Sequence, residues 1–125
     1  KPGKVLPERE AVALLLENAD GELLLTRRPP VGIWASLWTL PQAETDASLR
    51  EWFARELHGD YDAAEPMPPI VHTFSHYRLH LQPLRLRKVA LRDRVRDNDA
   101  LRWVPRAGLS ALGLPAPIRK LLDSL

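Results

Sequence analysis

Cysteine is absent from this sequence of 125 residues. Without thiols the chain can have no disulfide framework, no thiolate zinc site and no cysteine nucleophile. Three common ways of building a small functional domain are therefore excluded. The absence also indicates a reducing, intracellular compartment.

Long apolar runs are absent as well. No segment approaches the roughly 20 apolar residues that a membrane span requires. Residues 1–4 (Lys-Pro-Gly-Lys) lack the apolar stretch of a signal peptide. We therefore expect no membrane partner. The composition that remains, 45% hydrophobic and 27% charged, is typical of one folded domain with a sizeable core.

A large net charge of one sign is also missing, since the formal charge is only +2. The charge balance alone therefore does not indicate a nucleic-acid partner. Fourteen of the eighteen basic residues are arginine, which forms bidentate contacts with phosphate that lysine cannot form. A GC-rich genome produces the same bias, so both explanations stay open.

The start of the chain differs from the rest in composition. Residues 1–7 are rich in proline, glycine and lysine and do not begin with methionine. This pattern predicts the tail of an interdomain linker, with residues 8–125 forming one domain of a longer protein. No internal repeat or low-complexity tract interrupts that domain in the sequence.

Hydrophobic patterning predicts a mixed sheet. Apolar residues 10–17 and 22–28 flank the turn residues 18–21, which predicts a β-hairpin. Further extended segments are predicted at residues 39–41, 70–74, 77–88 and 101–104. Pro83 indicates a bulge or an edge position in the third of these, because proline cannot donate to a strand ladder.

Helices are predicted between and after these strands. A helix capped by Thr45 or Asp46 runs to about His58 and ends at Gly59. Its apolar face consists of Leu49, Trp52, Phe53 and Leu57. Residues 107–113 predict a helical turn, and residues 115–125 predict a final amphipathic helix. The order of elements indicates an α+β fold, a mixed sheet flanked by helices.

The first candidate for chemistry is the helix after the Trp-Thr-Leu-Pro strand of residues 38–41. Residues 50–57 (Arg-Glu-Trp-Phe-Ala-Arg-Glu-Leu) resemble the Nudix box, which holds divalent metal on clustered carboxylates. In that family a pair of glutamates follows, but here Ala54 and Arg55 stand at the equivalent spacing. The resemblance therefore implies a Nudix-like fold without its metal site. Glu51 and Glu56 read as solvated helix charges.

The second candidate is the histidine-rich segment of residues 72–80. His72, His76 and His80 would suggest metal ligands on a helix, but the flanking pattern is extended, so we expect no metal site. A nucleophilic Ser75 is equally weak, since no nucleophile elbow surrounds it. Composition alone favours a strand–turn–strand with Phe74 in the core.

Three motifs in one order carry a more specific resemblance. Residues 27–34 (Arg-Arg-Pro-Pro-Val-Gly-Ile-Trp), 40–42 (Leu-Pro-Gln) and 72–76 (His-Thr-Phe-Ser-His) resemble the C-terminal domain of MutY-type adenine DNA glycosylases. Residues 6–9 (Leu-Pro-Glu-Arg) resemble that family's exit from its interdomain linker. The resemblance covers nearly the whole chain.

The resemblance implies a function. These enzymes remove adenine mispaired with 8-oxoguanine in double-stranded DNA, in the bacterial cytoplasm. Their catalytic domain, with its 4Fe-4S cluster, precedes the Nudix-like domain, and this chain has no cysteines to hold such a cluster. We therefore expect a non-catalytic recognition domain without a cofactor of its own, with lesion-containing duplex DNA and the catalytic domain as its partners.

The resemblance also assigns roles to single residues. The family's Phe-Ser-His loop reaches 8-oxoguanine, which differs from guanine by a carbonyl at position 8 and a proton on N7. A serine hydroxyl both donates and accepts, so Ser75 is the expected lesion contact. Phe74 and His76 would wedge or stack beside it. His72 and Thr73 would support the loop or meet phosphate.

Arginines beyond the loop are further candidates. Arg78, Arg85 and Arg87 are expected to meet DNA phosphates and to add salt dependence rather than specificity. A second cluster alternates with acidic residues and reads as a solvated loop: Arg92, Arg94 and Arg96 with Asp93, Asp97 and Asp99. The apolar loop of Ile33, Trp34 and Trp38 is expected to pack in the core or against the absent domain. A protein-interaction surface is its weaker alternative.

The alternative function is a Nudix hydrolase of oxidised nucleotides such as 8-oxo-dGTP. Because the helix lacks the glutamate pair that would hold magnesium, we expect the chain to leave 8-oxo-dGTP intact in the presence of Mg²⁺. Release of pyrophosphate, measured with the purified chain, checks this. A magnesium-dependent activity would favour the hydrolase over the recognition domain.

Overall fold

The computed structural model describes residues 5–61, 63–87 and 98–125. It contains eight strands, two α-helices and a short 3-10 helix (Arg106–Ala111) in the part of the chain that it describes. The strands are β1 (Glu8–Leu16), β2 (Leu23–Arg27), β3 (Trp38–Thr39), β4 (Gln42–Ala43), β5 (Glu65–Pro66), β6 (Ile70–Thr73), β7 (Arg78–Leu86) and β8 (Leu101–Val104). The helices are α1 (Asp46–Leu57) and α2 (Ala116–Asp123).

The strands form two sheets. The larger has the order β4-β1-β7-β5, with β6 also paired to β7, and the smaller has the order β3-β2-β8. β1 and β7 run parallel in an unbroken register from Glu8–Arg78 to Leu16–Leu86, whereas the other strand pairs are antiparallel. The predicted mixed sheet is therefore confirmed.

The predicted hairpin of the first two strands is wrong beyond its turn. Asn18 organises that turn by accepting the backbone N–H groups of Asp20 and Glu22. However, β1 and β2 meet only at the bridge between Glu17 and Leu23. Both edges of β1 are already occupied by β4 and β7, so β2 diverges into the second sheet.

Two apolar clusters place the sheets between helices. Along β1, side chains alternate in direction, so Ala13 and Leu15 join one cluster and Leu14 and Leu16 join the other. Helix α2 covers the first cluster with Ile118, Leu121 and Leu122. Helix α1 covers the second cluster with Leu49, Phe53 and Leu57. Trp52, expected on the same face of α1, is only half-buried. The predicted flanking helices are confirmed.

Pro83 is not at an edge, since β7 is paired on both sides, but the predicted irregularity is present opposite it. Between the β5 and β6 pairings, residues 67–69 face residues 82–83, one extra residue as in a β-bulge. Pro83 lies within β7, and the register with β1 continues through it. The Pro83 carbonyl accepts from Met67 N at 2.9 Å. The backbone of Pro83 therefore faces the segment between β5 and β6, on the side of β7 away from β1. The missing N–H therefore removes no ladder bond to β1.

α1 starts as predicted and ends one residue earlier than predicted. The Thr45 side chain accepts from Ser48 N at 3.1 Å and caps the helix. At the other end His58, not Gly59, adopts the left-handed conformation, with φ 56°. The His58 N–H still bonds to Ala54 O at 3.1 Å. The left-handed residue is therefore the one that closes the last turn of the helix.

His58 gives a test of this helix end. His58→Gly is expected to stabilise the fold by about 0.5–1 kcal/mol, because glycine avoids the steric cost of the left-handed region but loses more backbone entropy on folding. Ala54→Gly, in the same exposed helix at ordinary φ, is expected to destabilise it by about 1 kcal/mol. Urea unfolding of both variants measures this. Destabilisation by both would contradict the left-handed helix end.

Candidate nucleic-acid interface

The predicted turn after β6 is confirmed as the tip of a β6–β7 hairpin. Thr73 pairs with Arg78, and Phe74 N bonds to Tyr77 O at 2.8 Å. Ser75 and His76 are the two tip residues, and both are exposed. The Ser75 hydroxyl lies 3.4 Å from His76 Nδ1. We call the sequence-predicted residues 72–76 the histidine loop, and it presents Thr73, Ser75 and His76 to solvent, the last two at its tip.

The three histidines of this region do not converge. His72 is the register partner of Leu79, and its ring contacts Trp34. His80 points to the other face of the sheet and bonds to Glu8 at 2.9 Å. Within the described ranges, no group of three histidine, aspartate or glutamate side chains is placed to hold a metal ion.

An aromatic cluster lies beneath the tip. The Phe74 ring is half-buried and lies 4.7 Å from His72, 5.0 Å from Tyr77 and 5.5 Å from Trp34, measured between ring centroids. His76 completes the cluster at 4.6 Å from Tyr77. Contacts of this kind each contribute about 0.5–1.5 kcal/mol beyond burial. Phe74 therefore anchors the tip, while Ser75 and His76 extend beyond it.

The predicted packing of Ile33, Trp34 and Trp38 in the core is confirmed: Trp38 is buried, and Ile33 and Trp34 pack against the same cluster. The sequence did not predict that the Trp34 ring also contacts His72 and Phe74 of the histidine loop. Only the fold brings residues 34 and 74 together.

The segment that carries Trp34 has an unusual backbone. We call residues 28–37 the tryptophan loop. Gly32, Trp34 and Ser36 all have positive φ, at 90°, 52° and 62°. A tryptophan in this region costs about 1–3 kcal/mol. The loop holds itself in this form through Ser36 N to Pro29 O at 2.9 Å and Leu37 N to Trp34 O at 3.0 Å.

The two loops form the walls of an open groove of ≈ 1030 Å³. Ala11 of β1 and Leu79 of β7 form part of its lining, together with Gln42 of β4. Two polar atoms of lining residues, Arg28 Nε and Gln42 Oε1, are buried without a hydrogen-bond partner among the described residues. An unpaired buried donor or acceptor is costly, and both atoms lie beneath the surface of the groove rather than open to it.

The start of β1 is attached to the histidine loop from the other side. Pro7 O accepts from Arg78 N at 2.9 Å, and the Arg9 guanidinium lies 4.6 Å from the Tyr77 ring centre. The Glu8 carboxylate accepts from His80 at 2.9 Å and from Arg78 at 3.1 Å. These bonds, that to His80 foremost, lower the pKa of Glu8 below its ordinary 4.5.

The three arginines predicted to meet phosphate do not share one surface. Arg78 borders the histidine loop but is paired with Glu8. The Arg85 side chain is only 11% exposed and lies 3.9 Å from Glu17, and exposed Arg87 lies 3.7 Å from Glu65. At about 3.3 Å per strand residue, Arg85 and Arg87 lie about 20–30 Å from Arg78.

The second arginine cluster of the sequence, residues 92–96, lies outside the described residues, and so does Lys88 at the predicted end of β7.

Arg50 engages two carboxylates near α1, Asp46 at the start of the helix and Asp60 beyond its end. Arg50 bonds to Asp46 at 2.9 Å and to Asp60 at 3.1 Å, and it also donates to the Tyr61 carbonyl. Burial and a bond to Asp46 raise the pKa of Tyr61 to about 12. Ala54 is exposed on this helix.

Arg55 pairs with the neighbouring Glu56 at 3.4 Å. No helix within the described part of the chain is long and apolar enough to cross a membrane.

The family model for the NUDIX domain matches residues 12–124. The chain belongs to this family. Its matched segment contains both loops of the groove and the α1 helix. Adenine DNA glycosylase from Buchnera aphidicola subsp. Acyrthosiphon pisum (strain APS) is 23% identical over 121 residues, 97% of this chain and 34% of that protein. This NUDIX domain therefore spans about a third of the length of the curated relative.

Solved structures support the same fold. A MutT protein from Methanosarcina mazei Go1 matches with a TM-score of 0.70 and 22% identity, covering 98% of this chain and 95% of that one. The C-terminal domain of mouse MUTYH, solved in complex with human PCNA, matches with a TM-score of 0.68 and 16% identity. That match covers 91% of this chain and 84% of that one. The predicted Nudix-like fold and its resemblance to adenine DNA glycosylases are confirmed.

Trp34 gives a test of how the histidine loop is held. In Trp34→Ala the contacts to His72 and Phe74 are lost, so hydrogen exchange at the Phe74 amide is expected to rise at least about tenfold relative to amides of β2. Trp52→Ala is the matched control, because Trp52 is also half-buried but packs in the other cluster. Equal changes at Phe74 in both variants would show that Trp34 does not brace the loop.

Proposed function

We propose that this NUDIX domain recognises the lesion for an adenine DNA glycosylase that excises adenine mispaired with 8-oxoguanine in double-stranded DNA. The carrying observation is the exposed Ser75–His76 tip on its aromatic base. The similarity to the Buchnera aphidicola glycosylase over 97% of the chain supports this proposal. Base excision belongs to a separate catalytic domain, with its 4Fe-4S cluster, and this domain contributes recognition without a cofactor.

Ser75 is the proposed contact with the damaged base. Its hydroxyl can accept from the N7 proton of 8-oxoguanine or donate to the carbonyl at position 8, whereas guanine offers only an acceptor at N7. Since Ser75 is exposed at the hairpin tip, a base can approach it without rearranging the strands. Its bond to His76 is long, at 3.4 Å, so little is lost when the hydroxyl turns to a base.

The other predicted loop residues divide into two roles. His76 is exposed and stands beside Ser75, so it is proposed to stack on or donate to the neighbouring nucleotide. Phe74 and His72 are half-buried against Trp34 and hold the tip rather than entering the duplex. Thr73 Oγ1 accepts from Arg78 at 3.4 Å and supports the base of the hairpin.

The alternative, a hydrolase of oxidised nucleotides, draws on the MutT likeness and on the open groove between the two loops. The composition of α1 weighs against it. Ala54 and Arg55 stand where the glutamate pair would be needed, and Arg50 neutralises Asp46 and Asp60. The 8-oxo-dGTP assay given above separates the two functions.

Loss of the Ser75 hydroxyl is expected to reduce lesion preference by about 1–3 kcal/mol, which is roughly 5- to 150-fold. Affinities of the chain for duplexes with a central 8-oxoguanine:A or G:A pair measure this for Ser75→Ala. Ser110→Ala, which removes an exposed hydroxyl from the 3-10 helix, is the matched control.

A second measurement tests excision. Ser75→Ala together with Phe74→Ala, made with the chain joined to an adenine glycosylase domain, is expected to lower the excision ratio of 8-oxoguanine:A over G:A. Adenine removal itself should persist, since its chemistry lies in the other domain. A wild-type ratio in the double variant would overturn the assignment of the loop.

A further inference from the structure

The described arginines and lysine divide into two sets by their ion pairs. Six lie within 4.0 Å of a carboxylate: Arg50, Arg55, Arg78, Arg85, Arg87 and Arg106. Within the described ranges, no such carboxylate partner is found for Arg9, Arg27, Arg28, Arg102, Arg119 and Lys120. All three arginines that sequence reasoning assigned to phosphate belong to the paired set.

Three unpaired arginines lie around the two loops. Arg9 is exposed, stacks on Tyr77 and lines the groove. Arg28 lines the groove as well; its Nε is buried, and its two terminal nitrogens have no hydrogen bond or ion pair among the described residues. Arg27 is exposed and uses only its Nε, which donates to Ser36 O at 3.1 Å in the tryptophan loop. Each of them keeps donors that are free for an anion.

Pairing decides what an arginine can contribute to DNA binding. A free guanidinium that meets a phosphate displaces a condensed counterion from the DNA. A guanidinium already neutralised by a carboxylate must first leave it, and the carboxylate then faces the DNA uncompensated. Arg78 would leave Glu8 with His80 as its one remaining partner among the described residues. The Arg85 side chain is only 11% exposed and lies beside Glu17, which Arg106 also binds, so burial rather than pairing alone keeps Arg85 from a phosphate.

We propose that Arg9, Arg27 and Arg28 hold the sugar–phosphate backbone of the duplex on which the histidine loop acts, and that Arg78, Arg85 and Arg87 do not. This inference rests on the proposed function and names the backbone-binding part of that site. Glu10 and Glu44 also line the groove, near the pairing of β1 with β4, and they keep the backbone toward the loops. Bidentate guanidinium–phosphate contacts would then orient the domain, while Ser75 reads the base.

The test is the salt dependence of duplex binding by this chain. Each of Arg9→Gln, Arg27→Gln and Arg28→Gln is expected to reduce the slope of log K against log salt by about 0.9. They should weaken binding to 8-oxoguanine:A and G:A duplexes equally, because backbone contacts carry no base information. Arg28→Lys keeps the charge and should restore the slope, which separates loss of charge from local misfolding.

Two controls complete the experiment. Arg87→Gln removes a paired arginine far from the loop, and Lys120→Gln removes an unpaired cation on α2. Both are expected to leave the slope unchanged. A slope change in Arg87→Gln equal to that in Arg28→Gln, or unchanged slopes in all three loop variants, would overturn the inference.

The two proposals fail in different ways. If Ser75→Ala loses lesion preference but the arginine variants keep the wild-type slope, the backbone assignment is wrong and the proposed function stands. If the wild-type chain binds both duplexes equally while the arginine variants reduce the slope, the chain binds DNA without reading the lesion.

Discussion

The parallel pairing of β1 with β7 is the constraint on which the rest of the structure depends. Its nine-residue register fixes which side chains of β1 face α1 and which face α2. It also starts at Glu8 and Arg78, directly beside the hairpin tip. The first residues of the domain are therefore held against the histidine loop, and a shift of one residue would turn every apolar side chain of β1 to the wrong face.

The site depends on a second constraint: the tryptophan loop has a strained backbone, and this strain is offset by aromatic contacts with the histidine loop. The tryptophan loop holds Trp34 at a φ of 52°, and the ring gains contacts with His72 and Phe74. The histidine loop gains a firm base, with Thr73, Ser75 and His76 exposed. The proposed contact between the Ser75 hydroxyl and a base needs such support, because a small displacement of a hydroxyl weakens its hydrogen bonds.

Charge pairing divides the described arginines into those with a carboxylate partner and those without one. Arg78 and Arg85 of β7 lie within 4.0 Å of carboxylates of β1 and of the residue after β1, and Arg87, directly after β7, lies near a carboxylate of β5. Arginines around the tryptophan loop lack such partners in the described part of the chain. Arg50 of α1 binds Asp46 on its own helix and Asp60 beyond the helix end, and Arg55 pairs with Glu56. These ion pairs of α1 are local to the helix and the segment that follows it.

The sequence by itself determined the elements, because periodic apolar residues, the Thr45 cap and the turn at Ser75 act over a few neighbouring positions. The sequence also indicated the histidine loop, because its three motifs follow one another in the same order as in the glycosylase family that they resemble. Only the tertiary structure decided that β1 leaves β2 for β7, that Pro83 is tolerated inside a central strand, and that Trp34 supports Phe74. The pairing of Arg78, Arg85 and Arg87 with distant glutamates was equally beyond the sequence. Each of these depends on residues far apart in the chain, whose proximity is set by which strand edges are already occupied.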